Sequence, residues 1–392
     1  MCQMRRGVLL GILVCFIFVA VLGVNYSYAA ESKTSVNAGI ETLAETAILM
    51  DGNGKILYEK DANKPLPPAS VTKIMTLLLG IEAVENGRIK LTDNVSTSEV
   101  AWRQGGSQIW LEPGEAMTVK EMLTAIAVVS ANDAAAALME HIYGSTQAAV
   151  DAMNNRANEL GLKNSHFANV NGLPTPDHYM SAYDTALIAK EAVKHPLYME
   201  LVGIKEYWLR DGKNWLVNTN KLLWWYKGAD GLKTGWTEEA KYCFVGTAKR
   251  DGLRLIAVVF ATPEPRSHIR ESMKLLDWGY ANFTAVPVVE KGGVVDRVKI
   301  SKGTEREVEL VAADELNLVI PKGQNKNLTK NVVVDDHVFA PVVAGQKCGE
   351  LVVIKDGKEM GKVDLVAEKN VDKAGFFQVM KGTLFDLFSI TQ

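Results

Sequence analysis

The chain has little cysteine, no strong charge of either sign and a single long apolar run, and each shortage removes a class of answer. Only 4 of its 392 residues are cysteine. Cys2 and Cys15 fall in the N-terminal leader, while Cys243 and Cys348 lie in stretches that read as different domains. A disulfide between the last two is not expected, so the fold rests on its core, with both thiols as small buried or half-buried groups. The 6 histidines are scattered. Glu140-His141 lacks the second histidine of a His-Glu-x-x-His helix, and no phosphate-binding glycine loop occurs. Neither a metal nor a cofactor is expected. A formal net charge of −3, with 47% hydrophobic and 23% charged residues, marks neither a nucleic-acid partner nor a disordered chain. The length implies about two to three units.

The one long apolar run, Val8 to Val24, follows Arg5-Arg6 and is followed by Asn25-Tyr26-Ser27-Tyr28-Ala29-Ala30. This reads as a secretory signal peptide over residues 1–29, with Ser27 and Ala29 placing the cleavage after Ala29. An uncleaved anchor is the alternative for a run of this length. Cys15 follows Val14 rather than a small residue, which argues against lipid attachment. In either case the rest of the chain is expected to be exported.

Two strand-like runs, Glu45 to Met50 and Lys55 to Glu59, flank Asp51-Gly52-Asn53-Gly54 and predict a hairpin. Helical periodicity follows over Val119 to Ala127, Ala134 to Tyr143, Thr146 to Leu160, Ala182 to Val193 and Ser267 to Phe283. Tyr242 to Ala248 and Leu253 to Phe260 read as a second hairpin, with Lys233-Thr234-Gly235 beginning an adjacent strand. Strands at both ends enclosing helices imply, over residues 36–284, an α/β (α+β) domain with an antiparallel sheet flanked by helices. Short valine-rich runs then predict a small all-β, sandwich-like domain over residues 286–370. In residues 373–392, Phe376, Phe377, Met380, Leu384, Leu387 and Phe388 are spaced for one face of a helix. That segment is too short and polar to span a bilayer, and is expected to lie as an amphipathic anchor on a membrane surface, the alternative being a helix packed on the β domain.

The organising stretch is Pro67-Pro68-Ala69-Ser70-Val71-Thr72-Lys73. The prolines and the apolar continuation predict a helix beginning at Ser70, which puts the Ser70 and Lys73 side chains on one face, about 5–6 Å apart at Cβ. Alone, such a pair is a helix cap and a solvated lysine. Ser130-Ala131-Asn132 falls between two helical runs, where weak helix formers mark a break. Ser35-Val36-Asn37 has the same spacing, so position rather than pattern singles out the former.

Ser70-x-x-Lys73, Ser130-x-Asn132 and Lys233-Thr234-Gly235 together form the known signature of penicillin-binding proteins and class A β-lactamases. With Gly105-Gly106-Ser107, Asn171-Gly172-Leu173, Asn218-Thr219-Asn220 and the overall layout, the chain resembles the low-molecular-weight D-alanyl-D-alanine carboxypeptidases along nearly its whole length. The resemblance implies a β-lactamase/transpeptidase-like catalytic domain, peptidoglycan stem peptides as substrates, β-lactam antibiotics as covalent inhibitors and a site on the extracytoplasmic face of the cell membrane. Ser70 would be the nucleophile and Lys73 its base, which requires the lysine pKa to fall from about 10.4 toward roughly 7–8, with Lys233 as a neighbouring cation. The Ser70 and Trp236 backbone N–H groups would hold the oxyanion, each worth about 3–4 kcal/mol, and Gly235 permits the close approach. By the same resemblance Ser130 relays the proton to the leaving D-alanine, Asn132 binds the peptide carbonyl, and Lys233, Thr234 and Arg266 hold the terminal carboxylate.

A class A β-lactamase would also carry Glu-x-x-Leu-Asn, which Glu159-Leu160-Gly161-Leu162-Lys163 fails to match. A transpeptidase or endopeptidase shares the motifs and stays open. A non-catalytic wall-binding protein would have lost a motif residue, and all are present.

Overall fold

In the computed structural model, residues 39–324, 327–335 and 338–376 are described. The leader over 1–29 and the tail from residue 377 lie outside them. The first hairpin forms as the sequence predicts, from Thr46–Asp51 and Ile56–Lys60. Its turn is held by the Asp51 carboxylate, which accepts the N–H groups of Asn53 and Lys55, both at 2.9 Å. Thr46–Asp51 also pairs with Leu253–Thr262, giving an antiparallel sheet in the order 56–60, 46–51, 253–262, 241–250, 229–237.

Alternation along the strands sends side chains to opposite faces. Ile48 and Met50 join one core, Ala47 and Leu49 the other. The first core holds the helices Lys73–Glu85, Val119–Val129, Asn132–Tyr143 and Ala182–Ala192, and the second packs under Ser267–Asn282. Lys73–Glu85 is apolar nearly all round and almost wholly buried, as a central helix must be. Val119–Val129 starts at a capping box, in which Thr118 Oγ1 accepts the Glu121 N–H (3.2 Å) and the Glu121 carboxylate accepts the Thr118 N–H (2.9 Å).

Two sequence expectations change. The α-helix begins at Lys73, not Ser70, because Ala69–Thr72 is a 3-10 turn in which the Val71 N–H bonds to the Pro68 carbonyl at 3.2 Å. Lys233-Thr234-Gly235 lies inside a nine-residue edge strand, Ala229–Thr237, rather than at its start.

Beyond the sheet, Ser267–Asn282 runs directly into the strand Phe283–Val289, which pairs with Leu316–Pro321. A second sheet in the order 328–334, 347–355, 358–367, 307–312, 294–301, 338–339 completes the β domain around Val298, Leu310, Leu318, Leu351 and Leu365. The first hairpin grips this domain, with Asn53 Nδ2 donating to the Asn317 carbonyl (2.7 Å) and Lys55 Nζ to that of Val319 (2.9 Å). The chain stays tied to the β domain as far as Ala374, whose N–H donates to the Lys302 carbonyl (2.8 Å). The expected amphipathic helix lies almost wholly past that point, outside the described residues. Among the described residues no helix is long and apolar enough to cross a membrane.

Cys243 and Cys348 are buried and unbridged, in the first core and the β-domain core respectively. Burial pushes the Cys243 thiol up to about 12 and raises that of Cys348. The folded protein prepared without residues 1–29 should therefore leave a thiol-titrating disulfide reagent unreacted at pH 8, and two thiols should titrate once guanidinium unfolds it. Rapid reaction of either thiol in the folded state would contradict this packing.

Candidate active site

Three elements converge on Ser70. The Lys73 side chain turns back along its own helix so that Nζ donates to Ser70 Oγ at 3.0 Å and to the Asn171 carbonyl at 2.7 Å. Lys73 is 0% exposed. Burial, reinforced by the nearby Lys233 cation and opposed by Asp133, holds its pKa well below the ordinary lysine value. Lys233 is 1% exposed, donates to the Thr234 carbonyl at 3.0 Å, and is pushed down to about 7 by burial. A neutral amine has two N–H bonds and one lone pair. One N–H suits the Asn171 carbonyl, which leaves the lone pair for the Ser70 hydroxyl proton.

Gly235 carries the edge strand against the serine turn. A methyl group there would lie 2.8 Å from the Pro68 carbonyl, 2.9 Å from Val71 N and 3.1 Å from Ser70 N, all backbone atoms. Only glycine allows this approach. Next to it the Thr234 hydroxyl meets that of Thr219 at 2.9 Å, and the Thr219 N–H donates to the Val128 carbonyl (3.1 Å) in the helix that ends at Ser130.

Ser130 occupies a left-handed position, φ 63°, between the two helices, 4% exposed, with no hydrogen-bond partner for Oγ. The break expected at Ser130-Ala131-Asn132 is therefore formed. Asn132 Nδ2 donates to the Gly105 carbonyl at 2.6 Å, while its Oδ1 has no partner. Neighbouring Gln104 accepts from Asn171 Nδ2 at 2.7 Å, so Asn171 joins the loop beside Asn132 to the lysine beside Ser70. Hydrogen bonds thus link Lys73, Asn171 and Gln104 along one side of the cleft and Asn132 to Gly105 beside them, while Thr219 joins Val128 to Thr234 on the other side.

Trp236 is 58% exposed beside Tyr242, with ring centroids 6.1 Å apart. Arg266 stands outside this network. It is exposed at the start of Ser267–Asn282, with its guanidinium 6.0 Å from the centre of the Trp225 ring. Asn171, Gln104 and Thr219 were not singled out from the sequence as site residues. Asn171 lies 98 positions from the lysine it contacts, and no local pattern reports such a contact.

A serine bonded to a fully buried lysine beside an edge strand is an arrangement suited to acyl transfer. The chain belongs to the D-alanyl-D-alanine carboxypeptidase family, whose model matches residues 31–264, and residues 283–373 match the C-terminal domain of penicillin-binding protein 5. It is 44% identical over 348 residues to the D-alanyl-D-alanine carboxypeptidase DacF of Bacillus subtilis, covering 88% of this chain and 90% of that one. Penicillin-binding protein 5 from Haemophilus influenzae superposes with a TM-score of 0.70 at 33% identity, covering 86% of this chain and 99% of that one. Penicillin-binding protein D2 from Listeria monocytogenes, solved in its ampicillin-bound form, has a TM-score of 0.57 at 30% identity and covers 62% of this chain and 99% of that one.

Two outcomes follow from the geometry. Acylation of Ser70 should rise with pH along a limb set by Lys73, well below pH 10.5, since a lowered lysine pKa supplies the neutral base at lower pH. Lys233→Met removes the neighbouring cation, so Lys73 holds its proton more tightly and the limb should move to higher pH in the saturating rate of labelled-penicillin adduct formation. A limb that stays in place would show that burial alone sets the Lys73 pKa. Separately, Gly235→Ala should slow adduct formation by about 100-fold or more, because the strand must withdraw from the Ser70 turn. A near-wild-type rate would mean that this contact is not needed.

Proposed function

We propose that the chain is a penicillin-sensitive serine D-Ala-D-Ala carboxypeptidase that removes the terminal D-alanine from peptidoglycan stem pentapeptides. The single observation that carries this reading is the Ser70 hydroxyl on the buried Lys73 amine, 3.0 Å away. As Ser70 Oγ bonds to the penultimate D-alanine carbonyl carbon, its proton passes to Lys73 Nζ. The carbonyl oxygen becomes an oxyanion between the N–H groups of Ser70 and Trp236. Alternate residues of a strand turn their N–H and C=O groups to the same edge. Acceptance of the Lys233 amine by the Thr234 carbonyl supports placing the Trp236 N–H on the open side.

The C–N bond then breaks, the leaving nitrogen takes a proton relayed by Ser130, and water later releases the acyl group. The buried Ser130 Oγ and Asn132 Oδ1, both without partners, support a substrate backbone passing between them. Lys233, Thr234 and Arg266 would receive the terminal carboxylate. Arg266 is favoured over Arg270, which is already paired with Glu264 at 3.4 Å. β-Lactam antibiotics would acylate Ser70 in the same way, in keeping with the ampicillin-bound relative.

β-Lactamase turnover is disfavoured because Glu159 is paired with Arg156 at 3.0 Å on a different surface. The apolar leader sequence supports a site outside the cytoplasm, and the segment 373–392 would hold the enzyme at the membrane face.

Labelled penicillin should form a lasting adduct on the wild type but not on Ser70→Ala, and the wild type should release D-alanine from a pentapeptide ending in D-Ala-D-Ala. An adduct unchanged by Ser70→Ala would overturn the mechanism. Removing residues 377–392 should leave that activity intact and move the mature protein from the membrane to the soluble fraction. Retention in the membrane fraction would rule out the anchor.

A further inference from the structure

Beneath the serine turn lies a buried histidine that belongs to none of the three motifs. His178 is 6% exposed, with its ring edge-on to Phe167 at 6.1 Å. The Ala168 backbone N–H, which can only donate, points to Nδ1 at 2.9 Å, so the ring proton sits on Nε2. Nε2 lies 2.7 Å from Thr72 Oγ1, and the Thr72 hydroxyl donates onward to the Ala69 carbonyl at 2.8 Å. The chain of donors therefore runs one way, from Ala168 through His178 and Thr72 to Ala69. Burial, with His166 and Lys73 nearby, pushes the His178 pKa down to about 4, so the neutral ring that this direction requires is the stable form.

The Ala69 carbonyl and the Ser70 N–H are the two ends of one planar peptide, so whatever fixes the oxygen also aims the hydrogen. Ala69 sits at φ 47°, a conformation that a residue with a Cβ keeps only where its surroundings impose it. Two contacts impose it: the Thr72 hydroxyl, and Gly172, where a methyl group would fall 1.9 Å from the Ala69 oxygen. At the other end of the same peptide the Ser70 nitrogen faces Gly235. Accepting a hydrogen bond at the carbonyl also polarises the amide and makes its N–H a stronger donor.

We propose that His178 is a positioning residue for the oxyanion-binding N–H of Ser70, acting through the Thr72 hydroxyl and the Ala69 carbonyl. This deepens the acyl-transfer reading and rests on it. The relay touches no substrate, so its contribution falls on the transition state and not on binding.

The test is the time course of labelled-penicillin acylation of the mature protein, resolved into a binding constant and a saturating rate. Thr72→Val keeps the shape and removes the hydroxyl. Thr72→Val and His178→Ala should each lower the saturating rate about 10–100-fold while binding changes by less than about twofold. Thr72→Ser should stay near wild type, and His178→Gln, whose amide can still donate to Thr72, should recover most of the loss. The double variant should be no slower than the slower single one, since both act on one path.

Wild-type rates in Thr72→Val, effects that multiply in the double variant, or a loss confined to binding would each overturn the relay. Should His178→Ala fail to fold by near-ultraviolet circular dichroism, the near-isosteric Thr72→Val decides. Absence of an adduct in the wild type would overturn the acyl-enzyme reading as well, whereas a normal wild-type adduct with an unaffected Thr72→Val overturns the relay alone.

Discussion

Everything in the cleft depends on two lysine amines sharing one water-poor space. Lys73 and Lys233 are both shielded from solvent, and their charges repel with little screening. Burial alone would favour losing both protons, and each additional charge costs more than the last. Both amines are held below the ordinary lysine value, Lys73 well below it beside the serine and Lys233 at about 7 on the edge strand. Such a pair titrates as a unit, so the character of Lys73 is a property of the whole cleft.

The surrounding loops maintain that condition. Asn171 supplies a carbonyl that either protonation state of Lys73 can use, and its side chain reaches Gln104 beside the loop that holds Asn132. Thr219 ties the helix ending at Ser130 to the edge strand. The sheet also separates two tasks. The first hairpin, at one edge, is committed to the β domain, while the opposite edge strand carries Lys233, Thr234 and Gly235. Anything done to stabilise the first edge leaves the second open.

What the sequence could show was whatever is written within a few residues. The Asp51-Gly52-Asn53-Gly54 hairpin, the break at Ser130-Ala131-Asn132 and the neighbourhood of Ser70 and Lys73 are local, and the chain folds them as their patterns say. The strand Lys358–Ala367 has no valine run because it alternates, with Val363, Leu365 and Ala367 inward and Lys362, Asp364 and Val366 between or beside them. The hairpin 206–217 is marked locally by Asp211-Gly212, both with positive φ in its turn. His178 could not have been found that way. A lone histidine between a proline-rich loop and a helix has no pattern, and its importance arises only where the chain brings it under Thr72, 106 positions away.

That remoteness has a consequence for the newly made chain. The bond from Lys73 to Asn171 spans 98 positions and the one from Thr72 to His178 spans 106, so neither exists until distant parts of the catalytic domain have come together. Before then Lys73 is an ordinary hydrated amine, fully protonated near neutrality and unable to act as a base. The lowered pKa of Lys73 is therefore acquired only as the domain assembles. An unfolded chain carries the same serine and lysine without the burial that sets them apart.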